Sequence, residues 1–156
     1  YYKKLGAEKK PALPEPFTAS RYEDAQRFQN YSCSPVMEGF EPDTHAAEQW
    51  SDPFKGGWIA HKQGSCIKFN VSGGIIMVQY RKTINKPAPV AYAVIDGDRQ
   101  NKVLLDANFD EDWGDLCCLE EIYSGNKGEH TVEIVIDTEG KENSDFMLIS
   151  VITANK

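Results

Sequence analysis

The run Cys66-Ile-Lys-Phe-Asn-Val-Ser-Gly-Gly-Ile-Ile-Met-Val-Gln-Tyr-Arg-Lys82 decides the fold. Its first part alternates, with Ile67, Phe69 and Val71 on one face, which is the period of a half-buried strand. Its last part does the same with Ile76, Val78 and Tyr80. Between them Ser72-Gly-Gly74 reads as a tight turn, because glycine adopts positive φ without steric cost. The expectation is a β-hairpin.

The pattern continues on both sides. Trp58 opens a short apolar run and reads as core. Val90 to Ile95 is the next strand and is closed by Asp96-Gly97, a strong turn signal. Lys102 to Asp106 and Leu116 to Tyr123 follow. Ser124-Gly-Asn-Lys-Gly128 reads as another turn, and Val132, Ile134 and Ile136 alternate after it. Phe146 to Thr153 is apolar on both faces, which suits a central position. Upstream, Ser20 to Phe28 is read as a first strand and 30–55 as largely loop. No segment after Phe28 shows a helical period. Eight or so short strands with Gly and Pro turns predict an all-β, antiparallel β-sandwich. Pro11-Ala-Leu-Pro-Glu-Pro16 favours an extended spacer. It divides residues 1–16, read as the end of a preceding domain and its linker, from a domain over 17–156.

The chain has 156 residues and a net charge of −7. That length suffices for one domain with a sizeable core. Nucleic acid and anionic membrane surfaces want a basic patch, and none longer than a pair of bases occurs, so neither is expected as a partner. No apolar run reaches the roughly 18 residues a membrane helix needs. Cys33, Cys66, Cys117 and Cys118 form no Cys-x-x-Cys, and adjacent cysteines in a strand face opposite ways. They read as buried free thiols, with one disulfide as the alternative.

The chemistry concentrates in Asp106-Ala-Asn-Phe-Asp-Glu-Asp-Trp-Gly-Asp-Leu-Cys-Cys118, where five acids, an Asn and a Trp stand between two strands. Asp106, Asn108 and Asp110 have the spacing that opens a calcium loop. Glu111 and Cys117 then occupy the positions that need Gly and a bidentate Glu, so the match breaks where it is most demanding. A Trp among carboxylates and an amide suits sugars better. The ring covers the apolar face of a pyranose and the polar groups bond its hydroxyls. Trp113 with Asn108, Asp110, Asp112 and Asp115 is the candidate site, and Trp50 a further platform. Trp113 either presents itself to ligand or tucks into the core. No Gly-x-Ser-x-Gly and no other catalytic set stands out around His45, His61 or His130.

Gly57-Trp-Ile-Ala60, Cys66 to Val71, Val78-Gln-Tyr-Arg-Lys-Thr83, Val94-Ile-Asp-Gly97, Leu105-Asp106 through Trp113-Gly114 and Gly128-Glu-His-Thr-Val-Glu-Ile134 occur in this order. The order resembles the jelly-roll domains attached to bacterial SGNH/GDSL-type hydrolases and carbohydrate esterases. More broadly, the chain resembles carbohydrate-binding modules with a galactose-binding-like jelly roll. The resemblance implies a non-catalytic, polysaccharide- or oligosaccharide-binding module, partnered by the catalytic domain of the same polypeptide and secreted from a bacterium. The alternative is a structural domain packed on that catalytic domain or on a dimer partner. Such modules can hold a structural calcium between their first and last strands, and Glu23 and Asp145 stand at the matching places.

Overall fold

A computed structural model describes Pro14 and residues 20–46, 52–142 and 144–155. Apart from Pro14, the reading of 1–16 as domain end and linker falls outside the described residues, as does Trp50.

Among the described residues nine strands form in chain order: β1 Gln26–Phe28, β2 Val36–Glu38, β3 Phe40–Pro42, β4 Trp58–Ala60, β5 Cys66–Lys82, β6 Val90–Ile95, β7 Val103–Asp106, β8 Leu116–Thr138 and β9 Phe146–Ala154. No helix occurs among the described residues. The pairings between these strands are all antiparallel. The all-β class and the sandwich are as the patterning predicts, and β9 lies between β4 and β5, a central place.

Two expected turns are not turns. Ser72-Gly-Gly74 lies inside β5, an unbroken strand of 17 residues, and 124–128 lies inside β8, one of 23. These two strands pair along nearly their whole length, with Gly73 opposite Gly128 and an irregular register just beyond. Before that point β5 pairs with β2 and the second half of β8, which carries β6 and then β7. After it, β5 pairs with β9 and the first half of β8. β9 carries β1 and β4, and β4 carries β3. The two long strands therefore pass from one layer of the sandwich to the other. Glycine serves close approach here: a Cβ on Gly73 would stand 3.1 Å from the Thr153 Cβ and 3.2 Å from the Ala154 carbonyl oxygen.

The inward face of β5 changes parity at this corner. Ile67, Phe69 and Val71 enter the main core before it, and Ile76, Val78 and Tyr80 after it. Ile75 and Met77 turn the other way and meet Ala154 in a second small cluster. The layers meet where Trp58 of β4 packs edge-on to Phe69 of β5, with ring centroids 5.0 Å apart. Trp58 is the core residue the sequence suggests, only 1% exposed.

Two further differences are local. Ser20 to Asp24 is a turn and only Gln26–Phe28 is strand. The long loop 30–55 contributes two short strands, β2 and β3. The four cysteines are free thiols, each half-buried.

Candidate functional site

The end of the sandwich where β5 and β7 finish and β8 and β9 begin gathers four loops. Loop 83–89 is laced to loop 107–115: the Thr83 amide donates to the Ala107 carbonyl at 2.8 Å and the Phe109 amide to the Thr83 carbonyl at 3.0 Å. Asn108 is the rivet. Its Oδ1 accepts from the Ala88 amide at 2.9 Å, and its Nδ2 donates to Asp106 Oδ1 at 2.6 Å and to the Ala88 carbonyl at 3.3 Å. The Asn108 amide is thus committed to fixing the loop, and its role in any binding is to position neighbours.

Trp113 stands out from this pinned loop. It is 63% exposed, and Phe109 packs edge-on to it with ring centroids 5.0 Å apart. An exposed aromatic on a braced loop loses little entropy on contact, which is what a recognition platform needs. Asp110 pairs with Lys86, and that ammonium holds its carboxyl below the usual range. Asp112 is exposed. Asp115 faces Arg81 at 3.7 Å.

Arg81 joins this rim to the next loops, because its Nη2 also donates to the Asp145 carbonyl at 3.4 Å. Beside it lies an open cleft of about 360 Å³ lined by His61, 139–142, Ser144 and Asp145. His61 donates from Nδ1 to Asp145 Oδ1 at 2.5 Å and lies 3.4 Å from Glu41 through Nε2. Among the described residues, the buried Arg81 Nε and Ser144 Oγ have no hydrogen-bond partner.

The imidazole of His61 has a raised pKa, chiefly from the Asp145 hydrogen bond, with burial opposing and Glu41 assisting. A raised folded value means stabilisation that is full below the unfolded value near 6.5. It fades as pH rises through the folded value. The side chain is 53% exposed, and such pairs are worth less than about 1 kcal/mol. His61→Gln should therefore lower thermal stability slightly at pH 5.5 and hardly at all at pH 8.5. A stability difference of the same size at both pH values would refute the pairing.

The structure does not bring Glu23 and Asp145 together. Glu23 lies in the turn before β1, whose Gln26 pairs with Thr153 near the end of β9. Asp145 directly precedes the start of β9. A strand of nine residues separates them, a span of about 25 Å, and carboxylates so far apart cannot share one calcium ion. Among the described residues no group of three or more His, Cys, Asp or Glu is placed to hold a metal. Asp145 belongs instead with Arg81, Asp115 and His61 at the loop end. Arg81 and His61 were legible only as a strand-end charge and a loop histidine, since their partners are distant in sequence.

The sequence matches no protein-family model and no curated protein. Among solved structures, a two-domain esterase (CEX) active on acetylated mannans, co-crystallised with mannopentaose, is 42% identical with a TM-score of 0.84. The match covers 94% of this chain and 40% of that one, so the chain spans about two fifths of the esterase. A family two carbohydrate esterase from Cellvibrio japonicus is 14% identical with a TM-score of 0.58, over 85% of this chain and 34% of that one. The CBM36-1 domain of a multidomain xylanase from the hindgut metagenome of Trinervitermes trinervoides is 10% identical with a TM-score of 0.54, over 83% and 95%. The last two show the fold alone. The chain is an antiparallel β-sandwich, similar in fold to a carbohydrate-binding module and in sequence to about two fifths of a two-domain esterase.

Proposed function

We propose that this carbohydrate-binding-module-like domain holds polysaccharide through its loop end and keeps an appended esterase on its substrate. The parent is read as a secreted bacterial enzyme of the SGNH type. The observation that carries the reading is the Trp113 ring, exposed on a loop that Asn108 and the Lys86–Asp110 pair hold still. A ring buried in the sandwich would have favoured a structural role. Asp112, Asp115 and the half-buried Arg81 supply acceptors and donors beside the platform. Weak binding at such a site is enough, because tethering raises the effective concentration of the catalytic domain at the polymer.

The surrounding carboxylates favour neutral glycans. Glu111, Asp112 and Glu142 are exposed on this rim, and each repels a like charge in a salt-dependent way. The similarity to an esterase active on acetylated mannans makes neutral, acetylated mannan the first ligand to test. Affinity electrophoresis in mannan, acetylated mannan, xylan and a polyuronate is the direct test, with the full chain and its Trp113→Ala variant. Retardation by a neutral glycan should weaken about 30-fold or more in the variant, and the polyuronate should not retard either. If none of these glycans retarded the chain, a structural domain packed on its neighbour would be the better reading.

A further inference from the structure

We propose that the far end of the sandwich carries a second glycan site, a cleft at the β6–β7 turn that takes one neutral pyranose unit. The ligand class rests on the carbohydrate-binding reading above; the site does not. β6 runs from Val90, which pairs with Asp106 and Thr138 near the loop end, to Ile95. Its six residues place the turn that follows about 20 Å from the Trp113 rim.

The cleft encloses about 290 Å³ and is lined by Ile95, Asp96, Asp98, Asn101, Ile122 and Tyr123. That volume lies at the small end of ligand sites, and apolar walls with a few convergent polar groups are their usual make-up. Ile95 and Ile122 are the apolar floor. Tyr123 is the aromatic wall, fixed by its hydroxyl donating to the Asn126 carbonyl at 3.1 Å.

The polar groups are held more firmly than a turn requires. Asp96 sits at φ 51° and is followed by Gly97 at φ 77°, and this backbone alone closes the turn. Yet the Asp96 side chain also reaches β8. Its Oδ1 accepts from the Thr131 amide at 2.8 Å and its Oδ2 from His130 Nδ1 at 2.7 Å. Asp98 accepts from the Asn101 amide side chain at 2.7 Å and from two backbone amides. That contact orients Asn101 and leaves its carbonyl oxygen without a partner among the described residues.

His130 stands behind this wall. Its side chain is 10% exposed and its ring lies 4.3 Å from that of Tyr123. An ionised carboxylate only accepts, so Nδ1 must be the donor to Asp96. Nε2 lies toward Gly128 and has no hydrogen-bond partner among the described residues.

The charges select the ligand. Asp96 and Asp98 would repel an anion. Their charges are already answered by hydrogen bonds, which hold both carboxyls below the usual range, so no unanswered charge calls for a cation. Hydroxyl-bearing neutral rings with one apolar face fit what remains.

The test is an amide NMR titration of the full chain with mannotriose and, separately, glucuronate. Mannotriose should shift two separate groups of amides, one at 109–115 and one at 96–101 with 122–123. The second group should persist in Trp113→Ala. In the Asp98→Ala/Asn101→Ala double variant, whose sites are exposed, its midpoint should weaken about tenfold while the first group is unchanged. Shifts confined to 109–115 would overturn the second site and leave the loop-end reading standing. No shifts anywhere would overturn both. Shifts at 96–101 with glucuronate as strong as with mannotriose would overturn the neutral selectivity.

Discussion

Trp58→Ala is expected to lower unfolding free energy by about 3–5 kcal/mol, the usual cost of emptying a large buried aromatic site. Trp58 is 1% exposed and belongs to the core cluster that both layers share. Its ring meets Phe69 of the opposite layer edge-on at 5.0 Å and 74°, a pairing worth about 1 kcal/mol beyond its burial. β4 is only three residues long, so its neighbours close poorly over the gap. In a chain of this size each kcal/mol moves the melting temperature by about 2–4 °C. The expected drop is therefore about 6–20 °C, read by calorimetry. Trp58→Phe should recover much of it. A melting temperature within about 2 °C of the parent for the alanine variant would show that Trp58 does not join the layers.

Gly57→Ala, one residue earlier, should cost about as much for a different reason. An alanine Cβ there would run into the Leu148 carbonyl oxygen and the backbone of Ile149. Neither can move cheaply. Trp58 is registered against Leu148 in the sheet. The Gly57 carbonyl itself accepts from the Asp43 amide at 2.9 Å and from Asn30 Nδ2 at 2.9 Å. Overpacking costs about 1–3 kcal/mol and occasionally more, and rigid backbone on both sides puts this site at the upper end. Gly64 gives the comparison. It holds φ +81° with open space where a Cβ would stand, so Gly64→Ala should cost only the conformational term of about 1–2 kcal/mol. If Gly57→Ala cost no more than Gly64→Ala, the close contact at Gly57 would be refuted.

The candidate site was partly legible before any coordinates. Trp113 and its acidic neighbours are contiguous, so composition alone marks them. That Asn108 braces the loop rather than serving as a sugar ligand needed the structure, because its hydrogen bonds run to Ala88 in another loop. The pairing of Glu23 with Asp145 drew on resemblance and could not register that a whole strand lies between them.

The sequence by itself determined the all-β class, the inward faces of β5 and of the end of β8, and the central place of β9. These follow from a period of two and from apolar residues on both sides of a strand, which are local signals. Only the tertiary structure decided what the glycines at 73 and 128 do. A glycine that reverses a chain and one that lets a long strand turn a corner interrupt the alternation alike. They differ only in which strands lie alongside, and here those partners are β9 and the two halves of β8. The two tryptophans make the same point. Both follow or precede a glycine, yet Trp58 is buried where two layers close on it and Trp113 is held outward by a riveted loop. Burial is a property of the surrounding layers, and no stretch of the chain carries it alone.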